Sequence, residues 1–254
     1  MTALMYHDVV REGMEDSSGF PGRDAARYKV TPARFASHLD AIASGAEASR
    51  PAMTFDDGGA SALGAADVLE RYGLRGHFFV TVNYIGTPGF LDAAGIRELQ
   101  DRGHQVGSHS CSHPLRMGHL SPARLRDEWH TSRSALCDIL GEDIQTASIP
   151  GGDFAPPVAL TAADAGFTRL FTSEPSTRLT QIGAMTIAGR FAIQRETSAA
   201  TAAALGAGRW LPCARQAALW NMKKLAKQVG GTRYLQLRGA LLGRSRDMHW
   251  GDRE

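Results

Sequence analysis

The stretch Met53–Gly59, MTFDDGG, decides how this chain is to be read. An extended, partly apolar run, Ala52–Phe55, stops at two adjacent carboxylates, Asp56 and Asp57, and Gly58 and Gly59 then supply a turn. Neighbouring carboxylates repel, so one ionised group raises the pKa of the other unless a cation lies close by. Taken alone, the motif also reads as a plain turn in which one aspartate caps the following helix.

Short apolar runs of the same kind recur on both sides of it, separated by segments of helical length. Strands are expected at Ala3–Tyr6, Ala52–Phe55, Gly76–Val80, Gln105–Ser108, Thr146–Ile149, Arg169–Thr172 and Met185–Ile193. Helices are expected from Thr31–Pro32 onward, where Thr can cap and Pro can take the first turn, and over Ala60–Tyr72, Asp92–Arg102, Pro122–Leu140 and Pro156–Ala165. This alternation implies an α/β protein with mostly parallel strands and helices outside, as a barrel or a wound sheet. In either architecture the chemistry gathers at the C-terminal strand ends.

A second motif, SHSCSHP, places His109 and His113 four residues apart. Pro114 and the preceding strand pattern favour a strand end running into a loop over a helix. One carboxylate with two imidazoles is a common set for a catalytic divalent metal, and it leaves the other carboxylate free to act as a base. A third motif, SIPGGDF, follows a strand end with Pro150-Gly151-Gly152, where a backbone N–H has room to support an oxyanion.

Together, TFDDG, HSCSHP and the downstream PGG, AGF and FTSEP resemble the polysaccharide deacetylase family (carbohydrate esterase family four, the NodB-homology domain), over residues 3–195. The resemblance implies an irregular (β/α)7 barrel. It makes Asp56 the general base and Asp57, His109 and His113 the ligands of a divalent metal, most often Zn2+, with Co2+ or Ni2+ also suited to the set. It implies hydrolysis of N-acetyl groups on the amino sugars of a polysaccharide or glycan precursor, with Gly151 helping to hold the oxyanion.

Two features depart from the family pattern. No arginine precedes Pro150 in TASIP to tether the base, and Arg190 in AGRF is the expected substitute. No late LxxH motif supplies the acid, but LMYH, Leu4–His7, is an LxxH found first. First and last strands are neighbours in a closed barrel, so the motif is expected to be circularly permuted, with His7 as general acid and Asp8 orienting it. Tyr6 and Asp8 are grouped with Gly151 on the substrate side. The same motifs also suit a hydrolase of non-sugar C–N bonds, such as ureides or formamides, or a catalytically silent glycan-binding relative.

The net charge of +2 gives no case for nucleic acid. Three widely spaced cysteines, Cys111, Cys137 and Cys213, suit reduced thiols. The N-terminus MTALMYHDVV lacks a basic segment followed by an apolar core, so no signal peptide and a cytoplasmic location are expected. The deacetylase barrel is expected over residues 1–197, and a basic helical extension over residues 198–254. Nine Lys or Arg and no Asp or Glu lie between Arg209 and Arg246. Leu219, Met222, Leu225 and Val229 recur at helical spacing with Lys223, Lys224 and Lys227 between them. That helix is expected either on the barrel or peripherally on an anionic membrane face, the latter suiting a lipid-linked sugar substrate. His38, His77, His104, His119 and His130 are expected to be structural or solvent-facing.

Overall fold

The computed structural model describes residues 1–45, 50–222 and 224–225. Six of the expected strands form where the apolar runs place them: β1 (Ala3–Tyr6), β2 (Ala52–Phe55), β3 (Gly76–Val80), β4 (Gln105–Ser108), β5 (Thr146–Ser148) and β6 (Arg169–Phe171). The seventh run is broken. Its first part is β8 (Met185–Ala188) and its last is β9 (Phe191–Ala192). A further strand, β7 (Leu179–Ile182), escapes sequence reading because it is short and mostly exposed; it pairs antiparallel with β8 across a turn at Gly183 (φ 59°).

The sheet order is β7-β8-β6-β5-β4-β3-β2-β1-β9, parallel except for the β7–β8 pair. β8 and β9 stand near opposite ends of this order yet only Gly189 and Arg190 separate them in the chain. The sheet therefore curls into a half-barrel whose seam is spanned by backbone rather than by a ladder of hydrogen bonds. Gly189 is required there, since a Cβ would lie 2.4 Å from the Glu174 carbonyl oxygen. β1 pairs with β2 on one side and with β9 on the other, so the first strand does neighbour the last, as the permuted reading expects.

The pleat sorts the side chains. Leu4 and Tyr6 face the helix layer and join the main core with Phe35, Leu39 and Phe55. Residues of opposite parity, Ala3, Phe79, Phe171 and Ala188, form a second, smaller cluster inside the curl. The helices are α1 (Arg23–Ala26), α2 (Pro32–Ala43), α3 (Ala62–Arg71), α4 (Ala93–Asp101), α5 (Pro122–Leu140), α6 (Pro156–Asp164) and α7 (Ala199–Gly206). Thr31 caps α2 by accepting from the Arg34 N–H, with Pro32 in the first turn. Phe35 on α2 is fully buried and meets the Tyr6 ring edge-on at 5.2 Å. Burial of one such ring stabilises the fold by roughly 1.5–3 kcal/mol.

Of the expected extension at 198–254, α7 packs on α2 and β1. Residues 210–222 are helical, and the end of the basic tail, including Val229 and Lys227, lies outside the described residues.

Candidate active site

Consecutive residues on a strand point to opposite faces, so Asp56 and Asp57 could not share a site on regular backbone. Asp56 continues the inward parity of Thr54. Asp57 has φ 77°, which turns its carboxylate back toward the same mouth. Only three non-glycine residues among those described have positive φ: Asp57, Ser110 (φ 66°) and His113 (φ 61°). Such backbone is strained and is retained where function demands it. His109 follows β4 with inward parity. His113 is brought round by a loop, not a helix, whose Cys111 and Ser112 N–H groups donate to the buried Glu128 carboxylate at 2.9 and 2.8 Å.

The outcome is a cluster of Asp57, His109 and His113 with one candidate ligand atom each, all within 4.8 Å of one another. Both histidine Nε2 atoms lie 3.4 Å from Asp57 Oδ1. That oxygen is buried and has no hydrogen-bond partner. Burial alone would raise the Asp57 carboxyl, but His109 and His113 more than offset it and hold the group well below the usual carboxylate range. An ionised, orphaned oxygen facing two imidazole nitrogens is a donor set suited to a divalent cation. His109 is oriented from behind, with Nδ1 2.5 Å from Ser148 Oγ and 3.2 Å from the Ser148 carbonyl, which leaves Nε2 for the cluster.

Asp56 is held differently. Arg190 donates to both of its oxygens, at 2.6 and 2.7 Å, and also to the Thr54 hydroxyl and the Thr172 carbonyl. The guanidinium is fully buried between the Phe79 and Phe171 rings. Burial pushes the Asp56 carboxyl up, yet the Arg190 charge, with His109 and His7, brings it below its ordinary value. Ser148 Oγ donates to Asp56 Oδ1 at 3.1 Å, so a single hydroxyl bridges the Asp56 and His109 side chains.

His7 is half-buried with its ring 4.9 Å from Tyr28, and its charge acts on both Asp56 and Asp57. It stands over the same mouth, with Nδ1 buried and unpaired.

Two expected site residues are corrected. Tyr6 has the opposite pleat parity to His7; its ring stacks on Phe55 at 5.5 Å and its hydroxyl meets His38 Nδ1 at 3.2 Å within the helix layer. It cannot reach a substrate. Asp8 does not orient His7. Its Oδ1 accepts from Ser18 Oγ at 2.5 Å and Ser61 Oγ at 2.8 Å, and its Oδ2 lies 3.7 Å from Lys29 Nζ. Lys29 in turn donates to the carbonyls of Glu15, Ser18 and Phe20, so the buried pair clamps the loop between β1 and α2. That loop lays the Phe20 ring 4.5 Å from the His113 ring. Gly59 is required beside this clamp, because a Cβ would lie 2.1 Å from Asp8 Oδ1. Gly151 (φ 64°) lies in the turn after β5, where a Cβ would meet the Leu115 carbonyl at 2.6 Å, so it borders the His113 loop.

Ser148 opens the third motif but is given no role there, and Glu128 and Lys29 lie outside the motifs. Ser148 shares the inward parity of Thr146 on β5, and Glu128 occupies a core position in the Leu125–Trp129–Ser132–Leu136 stripe of α5. Lys29 carries no comparable periodic signal.

With this geometry in view, residues 45–170 match the family model "Polysaccharide deacetylase". The chain carries a polysaccharide deacetylase domain. The chain is 46% identical over 68 residues to the peptidoglycan-N-acetylglucosamine deacetylase PgdA of Listeria monocytogenes, a stretch covering 26% of this chain and 14% of that longer relative. Among solved structures, a polysaccharide deacetylase from Bacillus cereus superposes with a TM-score of 0.65 at 18% identity, covering 80% of this chain and 68% of that one. IcaB from Ammonifex degensii superposes at 0.63 with 18% identity, covering 81% of this chain and 96% of that one. At such identities the likeness is one of fold, and it places the deacetylase domain on the same curled sheet.

Proposed function

We propose that the deacetylase domain is a metal-dependent hydrolase that removes N-acetyl groups from amino sugars of a polysaccharide or glycan precursor. The observation that carries this is the orphaned Asp57 oxygen facing His109 and His113, beside an Asp56 carboxylate gripped by Arg190. Asp57, His109 and His113 would hold the cation, with Zn2+ favoured and Co2+ or Ni2+ compatible with the same donors. When bound, the cation would act as a Lewis acid toward the acetyl carbonyl and lower the pKa of water.

The remaining steps belong to this chain's residues. Asp56, kept ionised by Arg190, accepts a proton from the water that attacks the acetyl carbon. The Gly151 N–H donates to the carbonyl oxygen as it gains charge. His7, over the same mouth, gives its proton to the nitrogen as the C–N bond breaks. Acetate and a free amino sugar leave. The PgdA relative is named for N-acetylglucosamine in peptidoglycan, which supports an N-acetylated sugar as the substrate class.

The test is acetate release from an N-acetylglucosamine oligomer, run beside ureide and formamide substrates, with bound metal measured on the same protein. Asp56→Asn should keep its metal and lose acetate release, whereas Asp57→Ala should lose both. Full activity in Asp56→Asn would refute the assignment.

A further inference from the structure

Among the described residues, the helix at 210–222, followed by Lys224 and Leu225, is docked by one face only. Gln216 Nε2 donates to the Ala192 carbonyl at 3.0 Å, and Cys213 packs against the main core. Its direction follows from two contacts. Gly208, just before it, abuts Thr2, while Gln216 reaches Ala192, which is level with Met5. The seven helical residues 210–216 rise about 10 Å and three strand residues about 10 Å. The helix therefore climbs beside β1 and β9 in their own direction, toward the end of the barrel that carries Asp56, His7 and His109.

Its outer side exposes large apolar side chains, Trp210 (77%), Leu211 (62%), Leu219 (46%), Met222 (64%) and Leu225 (61%), with Arg215 among them. Leu211, Ala218, Met222 and Leu225 fall on one stripe of a 3.6-residue period, with Leu219 at its margin. A surface helix ordinarily presents the reverse pattern, and contiguous exposed apolar area marks an interaction site. Arg209, Arg215 and Lys224 are exposed on the same segment, and Lys224 Nζ sits 4.8 Å from the Trp220 ring centroid.

Charge selects the occupant. No acidic residue occurs from Arg209 to Arg246, and the residues beyond Leu225 add Lys227, Arg233, Arg238, Arg244 and Arg246. That tail repels a basic helix, and so does the same face of a second copy. An anionic lipid surface satisfies both the stripe and the cations. No helix among the described residues is long and apolar enough to cross a membrane, so the helix would lie in the interface plane.

We propose that the helix at residues 210–222, with Lys224 and Leu225 after it, is an interfacial element that seats this protein on an anionic bilayer, with the mouth of the barrel at the membrane end. The inference is independent of the deacetylase reading, and its test needs no turnover. The full chain is sedimented with phosphatidylcholine vesicles, with and without about 30% phosphatidylglycerol. Binding should be about tenfold or more stronger to the anionic vesicles and should weaken with added salt. Leu211→Asp/Met222→Asp and Arg215→Glu/Lys224→Glu, all at exposed positions, should each lower it at least about tenfold while circular dichroism stays unchanged. Equal or absent pelleting with the two vesicles would overturn the proposal. So would variants that bind like the parent, or a dimer in analytical ultracentrifugation that Leu211→Asp/Met222→Asp dissociates.

Discussion

Arg190 holds both oxygens of Asp56, at 2.6 and 2.7 Å, across 134 residues of chain. Both side chains are buried, so neither charge has water to fall back on. Breaking a buried pair by deleting one partner leaves an uncompensated charge and costs about 3–5 kcal/mol. Arg190→Met should therefore lower the unfolding free energy by that order in urea titration. Arg190→Lys, which keeps the charge but loses the fork, should be milder in stability and still lose most of the acetate release. Parent-like stability in Arg190→Met would show that the pair contributes little.

Ser148 should act through His109. Removing the hydroxyl in Ser148→Ala leaves the imidazole only the 3.2 Å contact to the Ser148 carbonyl and takes one donor from Asp56. Partners of this kind set metal affinity by about 10- to 100-fold. Competition with a chromophoric chelator should show that loss, while thermal unfolding of the metal-free protein moves little. An unchanged affinity would reduce Ser148 to a packing residue.

Lys29 and Asp8 should govern the loop beside His113 rather than the chemistry. Lys29→Met strands three carbonyls and a buried carboxylate, with a cost of about 3 kcal/mol or more. Proteolysis should then cut within residues 11–28 faster than in the parent. KM for a glycan oligomer should rise more than kcat falls, because Phe20 loses its seat beside His113. A change confined to kcat would point instead to a direct part in the reaction.

His77 supplies a pH dependence of stability. It lies inside the barrel, 2.6 Å from Thr146 Oγ1 and stacked on Phe79, and burial, with Arg190 and Arg169 adding to it, pushes its pKa down to about 3. Between that value and about 6.5 the unfolded chain binds the extra proton, so stability rises with pH and is lost as pH falls through this window. At pH 5 the loss is about 2 kcal/mol relative to pH 7. His77→Gln should remove about that much of the difference in unfolding free energy between pH 5 and 7, read from urea titrations. An equally steep profile in the variant would place the acid sensitivity elsewhere.

Much of the site was legible because its members lie in short contiguous runs at strand ends. Asp56 and Asp57 share one such run and His109 and His113 another, and strand ends are where a parallel sheet exposes functional groups. Pleat parity could have gone further. It excludes Tyr6 once His7 faces inward, and it nominates Ser148 through Thr146. Asp8 was misread because adjacency to His7 in the chain suggested contact, whereas its carboxylate turns to Ser18, Ser61 and Lys29.

The sequence by itself determined the order of the first six strands and of the helices between them, the turn at Gly58-Gly59 and the candidate ligands and base. These depend on local periodicity, on glycine's backbone freedom and on the chemistry of each side chain. The curl of the sheet decided the rest. It set β1 beside β9, carried the chain over the seam at Gly189 and so aimed Arg190 at Asp56. Positive φ at Asp57 and His113 then gathered the cluster. Among the described residues it also left the outer face of the helix at 210–222 uncovered. Contacts across such separations depend on which faces a closed three-dimensional arrangement leaves opposed, and no local pattern encodes that.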